Sequence, residues 1–186
     1  MTTKKIMSII AVLIIVGIAG FIFLLYTTIK TKSADISGYE PFKAWVGQTV
    51  RLDKETLLFE QKAGMNNHNR YPYILLDSLH PQWQHAEEAK DVEDPDLKEV
   101  MAFPAGTHLK IEKAIQYTNG VSGFSSPMLF GTINYAGQTY KTGYQWGEAD
   151  ISKDLNNIEK CWKFHRAPWQ AQEDTSFYAL PKAGIW

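Results

Sequence analysis

Residues 6–26, IMSIIAVLIIVGIAGFIFLLY, run for 21 positions without a charge, and their only polar side chains are Ser8 and the Tyr26 hydroxyl. A bilayer core about 30 Å thick is crossed by roughly 20 apolar helical residues at ~1.5 Å rise each. In hydrocarbon every backbone N–H and C=O must be satisfied within the segment, and a helix does this. A helix buried in a soluble core keeps a polar stripe. This stretch has none, so it reads as a single transmembrane helix.

A secretory signal has a shorter apolar region of ~7–15 residues and a small-x-small cleavage site. Gly17 and Ala19 offer that spacing, but Phe21-Ile22-Phe23-Leu24-Leu25 follows at once. Cleavage there would leave an apolar new terminus, so an uncleaved signal-anchor is expected. Lys4 and Lys5 flank one side and Lys30 and Lys32 the other, which leaves the positive-inside balance nearly even. The short tail 1–5 favours an N-terminus in the cytoplasm. The C-terminal part then lies outside the cytoplasmic (inner) membrane, in the periplasm or the extracellular space.

The whole chain carries a net charge of −1, and residues 1–32 hold four lysines and no acid, which leaves −5 for residues 33–186. A mildly acidic domain argues against nucleic acid as a partner, since its binders present basic faces. It suits a basic protein partner, although such a charge is also ordinary for solubility. Cys161 is the only cysteine, so no internal disulfide is available and the residue reads as packed. The core must come from apolar side chains, and six Trp, nine Tyr and nine Phe supply them.

Residues 27–40 read as a linker, and residues 41–186 as one β-rich globular domain. Alternation predicts strands over 49–53, 56–60 and 71–77, the last apolar enough to be buried on both faces. Pro81 opens a short helix within PQWQHAEEAK. Asp94 as N-cap, Pro95 at the first helical position and Asp96 in the first turn predict a second helix over 94–101. Strands return over 107–115, with Leu109, Ile111, Lys113 and Ile115 on one side, and over 128–135 and 139–146. Asn119-Gly120 and Ala136-Gly137 mark hairpin turns. Ser152 is placed to cap a helix over 153–164, against a competing strand over 161–164, and 176–180 reads as a last strand.

The run FPAGTHLKIEKA followed by GTINYAGQTYKTGYQWGE, within residues 103–148, resembles the small SH3-like barrels of bacterial exported, membrane-anchored proteins. It shares their Pro-Ala-Gly-Thr turn into a strand and their Gly-rich hairpin. The resemblance implies an SH3-like barrel with one or two short helices and a binding role, and it implies no catalytic residues.

Catalytic and metal motifs are sparse. His80 and His85 are five apart with Pro81 between them, which does not place both rings on one helix face as a zinc helix requires. A calcium loop starting at Asp91 would need Gly at 96 and Glu at 102, and the chain has Asp96 and Ala102. No acyl-transfer or phosphate-loop motif is present. The expectation is a non-catalytic protein without cofactor or metal.

Between Glu87 and Glu99 lie seven acids and two lysines. Glu87, Glu88, Asp91, Glu93, Asp94 and Asp96, beside Trp83 as an aromatic anchor, are the expected contact set for a protein partner. That partner is either a basic toxin neutralised by an immunity protein or a subunit of an envelope complex. The alternative is a cell-wall (peptidoglycan) binding module or wall-modifying enzyme. There Tyr140, Tyr144 and Trp146, which alternate on one strand face, would stack on sugar rings.

Overall fold

A computed structural model describes residues 3–61, 70–90, 92 and 95–181. The apolar run lies in α1 (Thr3–Ile29), which has no buried residue. Its mean hydropathy reaches 3.0 over an 18-residue window, which makes it long and apolar enough to cross a membrane.

Residues 27–40 are not the expected linker. α1 continues to Ile29, and after Lys30 and Thr31 the chain enters β1 (Lys32–Asp35). Ile36, next in line, is fully buried in the core. A four-residue polar strand, KSAD, carries no apolar periodicity, so only its pairing reveals it.

The remaining elements are a 3-10 turn (Phe42–Ala44), β2 (Thr49–Arg51), β3 (Thr56–Gln61), β4 (Tyr73–Leu76), α2 (Trp83–Ala89), β5 (Leu97–Phe103), β6 (His108–Thr118), β7 (Ser125–Tyr135), β8 (Gln138–Gln145), β9 (Glu148–Ala149), α3 (Ile151–Leu155) and β10 (Trp162–Lys163). The domain is mainly β. One sheet runs β1-β6-β7-β8-β4-β3-β5, with β2 also on β6, and β9 pairs β10 separately. All pairings are antiparallel except β4 with β8, where Tyr73 aligns with Thr142 and Ile74 with Gly143. Among the described residues no pairing joins β5 back to β1 or β2, so the sheet is not a closed barrel.

Burial on both faces of β3 and β4 has a direct cause. Leu58 and Leu75 point into the large core with Leu52, Phe103, Ile133, Tyr144, Trp146 and Trp169. Leu57, Phe59, Ile74 and Leu76 point the other way and are covered by Ala86 and Trp83 of α2. The continuous apolar run of β4 is therefore required.

Four further expectations change. The helix expected over 94–101 is replaced in its described part: Leu97–Phe103 is an edge strand on β3, with Gln61 opposite Leu97 and Thr56 opposite Phe103. Burial of Leu97 and Phe103 outweighs the local Pro95 start signal, which is worth only tenths of a kcal/mol. β6 does not keep one face, because the ladder with β7 shifts between Ile111 and Lys113. The bulge turns Lys113 to the opposite face, where its ammonium lies 5.0 Å from the Tyr71 ring centre. The helix over 153–164 shrinks to α3, capped by the Asp150 carboxylate accepting from the Lys153 N–H at 3.0 Å, rather than by Ser152. Residues 176–180 contribute a single bridge, Tyr178 to Trp162.

Candidate functional site

β4 ends on three buried residues and then Asp77, whose side chain is fully buried. A buried carboxylate without partners would cost several kcal/mol. Asp77 has two. Lys54 Nζ lies 2.5 Å from Oδ2, and the Tyr144 hydroxyl donates to Oδ1 at 2.8 Å. Tyr144 reaches it because β8 lies beside β4. Lys54 reaches it from the β2–β3 turn, where the Asp53 N–H donates to the Pro168 carbonyl at 2.6 Å.

The Tyr144 hydroxyl has one proton, and Asp77 takes it. The phenol oxygen therefore accepts from His165 Nε2, 2.9 Å away. That bond puts the His165 proton on Nε2 and leaves Nδ1 as an acceptor. The His80 ring packs edge-on to Tyr144, with centres 5.0 Å apart. Its Nδ1 accepts from the Gln82 N–H at 3.1 Å, so its proton also sits on Nε2.

Burial raises the Tyr144 hydroxyl well above the ordinary tyrosine value, and the Asp77 charge adds to the rise. Burial brings His80 down to about 3, with His165 contributing. Burial lowers His165 as well, outweighing the attraction of Asp77 and Glu148. Both rings are thus neutral at pH 7, and the one ion pair inside the cluster is Lys54 with Asp77.

His165 is also part of a cleft of about 380 Å³. The chain reaches it through Gly147, at φ 102°, where an added Cβ would sit 2.5 Å from the Phe164 ring. The Trp146 indole N–H donates to the His165 carbonyl at 2.7 Å and fixes the segment after β10. Phe177 lines the cleft with the buried, 3% exposed Phe164, and Glu148, Glu173 and Asp174 give it its carboxylates. Lys163, the one ammonium among its described lining residues, lies 2.9 Å from Glu148. That bond raises the Lys163 pKa, with Asp150 and Glu173 contributing. The Tyr178 hydroxyl, 2.5 Å from Asp174 Oδ2, holds that carboxyl below its usual range, with the Ser176 N–H adding to it. The lining is acidic, which suits a cation, and the Phe177 ring already has one from within the chain, the Lys153 ammonium 4.0 Å from its centre.

No family model, curated protein or solved structure matches the chain.

The structure distributes the expected contact residues differently. Trp83 is half-buried against Leu57, Phe59 and Leu76. Glu87 is exposed but lies 2.8 Å from Lys90, and the same ammonium lies 3.7 Å from Glu99. Glu88 accepts from Gln84 Nε2 at 3.1 Å. Asp96 is exposed. Asp91, Glu93 and Asp94 lie outside the described residues. Tyr140, Tyr144 and Trp146 are 7%, 1% and 0% exposed, so they fill the core and present no ring face for a sugar. Among the described residues no three His, Cys, Asp or Glu side chains gather as metal ligands. Sequence reasoning missed the cleft and its backing. Its one local trace is Asp77, a carboxylate directly after the apolar run of β4.

Proposed function

We propose that this chain is a membrane-anchored binding protein that receives a cationic group of a protein partner in the cleft containing His165. The observation that carries this reading is the placement of Glu148, Glu173 and Asp174 with Phe164 and Phe177 around one opening. A lysine or arginine side chain entering it would meet these carboxylates. The signal-anchor α1 holds the domain at the surface of the inner membrane, on the side away from the cytoplasm. In its most specific form the protein is an immunity protein, and a basic toxin is the partner. A subunit of an envelope complex is the other form. The SH3-like resemblance over 103–148 agrees with a binding role without catalysis.

A second reading rests on the His165–Tyr144–Asp77 chain beside the same cleft. A neutral imidazole with Nδ1 available and Nε2 held by a carboxylate-linked phenol is a competent general base. It belongs to the alternative of a wall-binding or wall-modifying protein.

Affinity capture with the detergent-solubilised full chain, from native membranes and medium, tests both. A stoichiometric protein that is lost on Glu173→Lys supports the first reading. The same protein retained by that variant removes the cleft from the interface. Retention on purified peptidoglycan, with no captured protein, moves the assignment to the second reading.

A further inference from the structure

The tip between β6 and β7 is seated on the end of α1. A Cβ added at Gly120 would lie 2.6 Å from the carbonyl oxygens of Ile29 and Lys30, and it would also strike that of Thr28. Only a glycine allows the loop backbone this close. β1 locks the arrangement, since Lys32 aligns with Thr118 only three residues after α1 ends.

The tip is built, not slack. The Asn119 side chain accepts from the Val121 and Ser122 N–H groups at 2.8 and 3.0 Å. The Asn119 N–H donates to the Phe124 carbonyl at 2.9 Å. Yet this ordered loop presents Val121 and Phe124 at 76% and 54% exposure.

Length places the loop relative to the bilayer. Residues 6–26 span about 31 Å as helix, which matches a hydrocarbon core of about 30 Å. Residues 27–29 carry the helix about 4.5 Å further, into the headgroup region. Gly120 touches the helix at that level. Tyr26, 60% exposed at the edge of the apolar run, is the type of residue found in an interfacial aromatic belt. The Lys30 ammonium lies 5.6 Å from the Tyr26 ring centre, where headgroup phosphates would meet it.

We infer that the β6–β7 tip is a second membrane contact, with Val121 and Phe124 inserted at the headgroup–acyl boundary of the leaflet that α1 exits. Apolar side chains at that depth are stabilised by burial. The contact fixes the tilt of the domain over the bilayer. This inference rests on the reading of α1 as a retained membrane anchor.

The test is depth measurement on the full chain in phosphatidylcholine vesicles. An environment-sensitive fluorophore is attached to Val121→Cys, Ala136→Cys or Leu13→Cys, and the unsubstituted protein sets the background from the buried Cys161. Position 136 lies at the far end of β7, about 33 Å from the tip along the strand. The expected result is a blue-shifted label at 121, quenched by nitroxide lipids labelled near the headgroup. The label at 136 stays water-like, and the label at 13 is quenched by nitroxides deep in the acyl chains. A label at 121 that matches the one at 136, with 13 still deep, overturns the membrane contact and leaves the anchor standing. A blue-shifted label at 121 that no lipid nitroxide quenches also overturns it and assigns the tip to a protein contact. A label at 13 that is not deep removes the anchor and the inference together.

Discussion

The Tyr144 hydroxyl and the Asp77 carboxylate meet at 2.8 Å with both side chains almost wholly out of water. This bond ties the β8 strand to the end of β4 and connects the buried Lys54–Asp77 pair to His165 in the cleft. Tyr144→Phe removes the proton that Asp77 accepts and the oxygen that His165 donates to. A loss of about 1–3 kcal/mol in unfolding free energy is expected. Asp77→Ala leaves Lys54 without its counter-ion, and a buried pair broken this way costs about 3–5 kcal/mol. Lys54 is 28% exposed and can turn toward water, which places the loss at the low end. Urea unfolding of the detergent-solubilised full chain measures both. A neutral Tyr144→Phe would show that the bond is not part of the stability of the domain.

The two buried imidazoles make stability fall with acid. The His80 value drops from 6.5 to about 3 on folding. Between those limits the unfolded chain binds a proton that the folded chain does not, so stability decreases as pH falls. The slope is about 1.4 kcal/mol per pH unit for each fully neutralised ring. His165, also lowered by burial, steepens the decline. Asp77 and Glu148 oppose it, because they attract the protonated form of His165. Unfolding midpoints should decline from pH 6.5 downward, and His80→Phe should flatten that decline by close to one proton. An unchanged slope in the variant would show that His80 is protonated in the folded protein.

Gly120→Ala tests the seat of the β6–β7 tip on α1. The new methyl must displace either the loop or the last carbonyls of the helix, since two of them lie 2.6 Å from its position. A strain of about 1–3 kcal/mol is expected, localised at the junction. Trypsin should then cut faster after Lys30 and Lys32, where β1 pairs with β6. Cutting at the native rate would mean that the junction absorbs the methyl without opening.

Trp83 anchors α2 to the sheet through Leu57, Phe59 and Leu76. Trp83→Ala should therefore lower stability by about 2 kcal/mol, for a large ring that is only half-buried. Partner capture by the folded fraction should be unaffected. Capture that fails at full stability would restore Trp83 as a binding hot spot.

Gly147→Ala combines a backbone φ of 102° with a Cβ 2.5 Å from the Phe164 ring. The expected loss is about 3 kcal/mol, from strain and overpacking together. Phe164 should move and reshape the cleft, so partner affinity falls along with stability. Full affinity in the surviving folded protein would separate the binding surface from Phe164.

Local signals located much of this molecule correctly. α1 follows from 21 uncharged apolar residues, which form a helix long and apolar enough to cross a membrane. The β7–β8 hairpin follows from alternation around Ala136-Gly137, whose φ angles are 49° and 78°. α2 follows from Pro81 and the good helix formers after it. Each is decided by interactions within a few residues, and for those composition and spacing suffice.

Tertiary structure decided the remainder. β1 is four residues of KSAD, which become a strand only because the long edge of β6 offers unpaired backbone groups. β5 begins with a helix-start signal and is overruled by β3, because burying Leu97 and Phe103 is worth more than a first-turn preference. The cleft and its backing are non-local as well. Asp77, Tyr144 and His165 are far apart in sequence, and the pairing of β4 with β8 and the return of the chain through β10 bring them together. Sequence alone determined which segments are apolar enough to leave water, since hydropathy is a property of each residue. Which polar groups meet inside was set by long-range strand pairing, whose energy resides in contacts that local pattern does not encode.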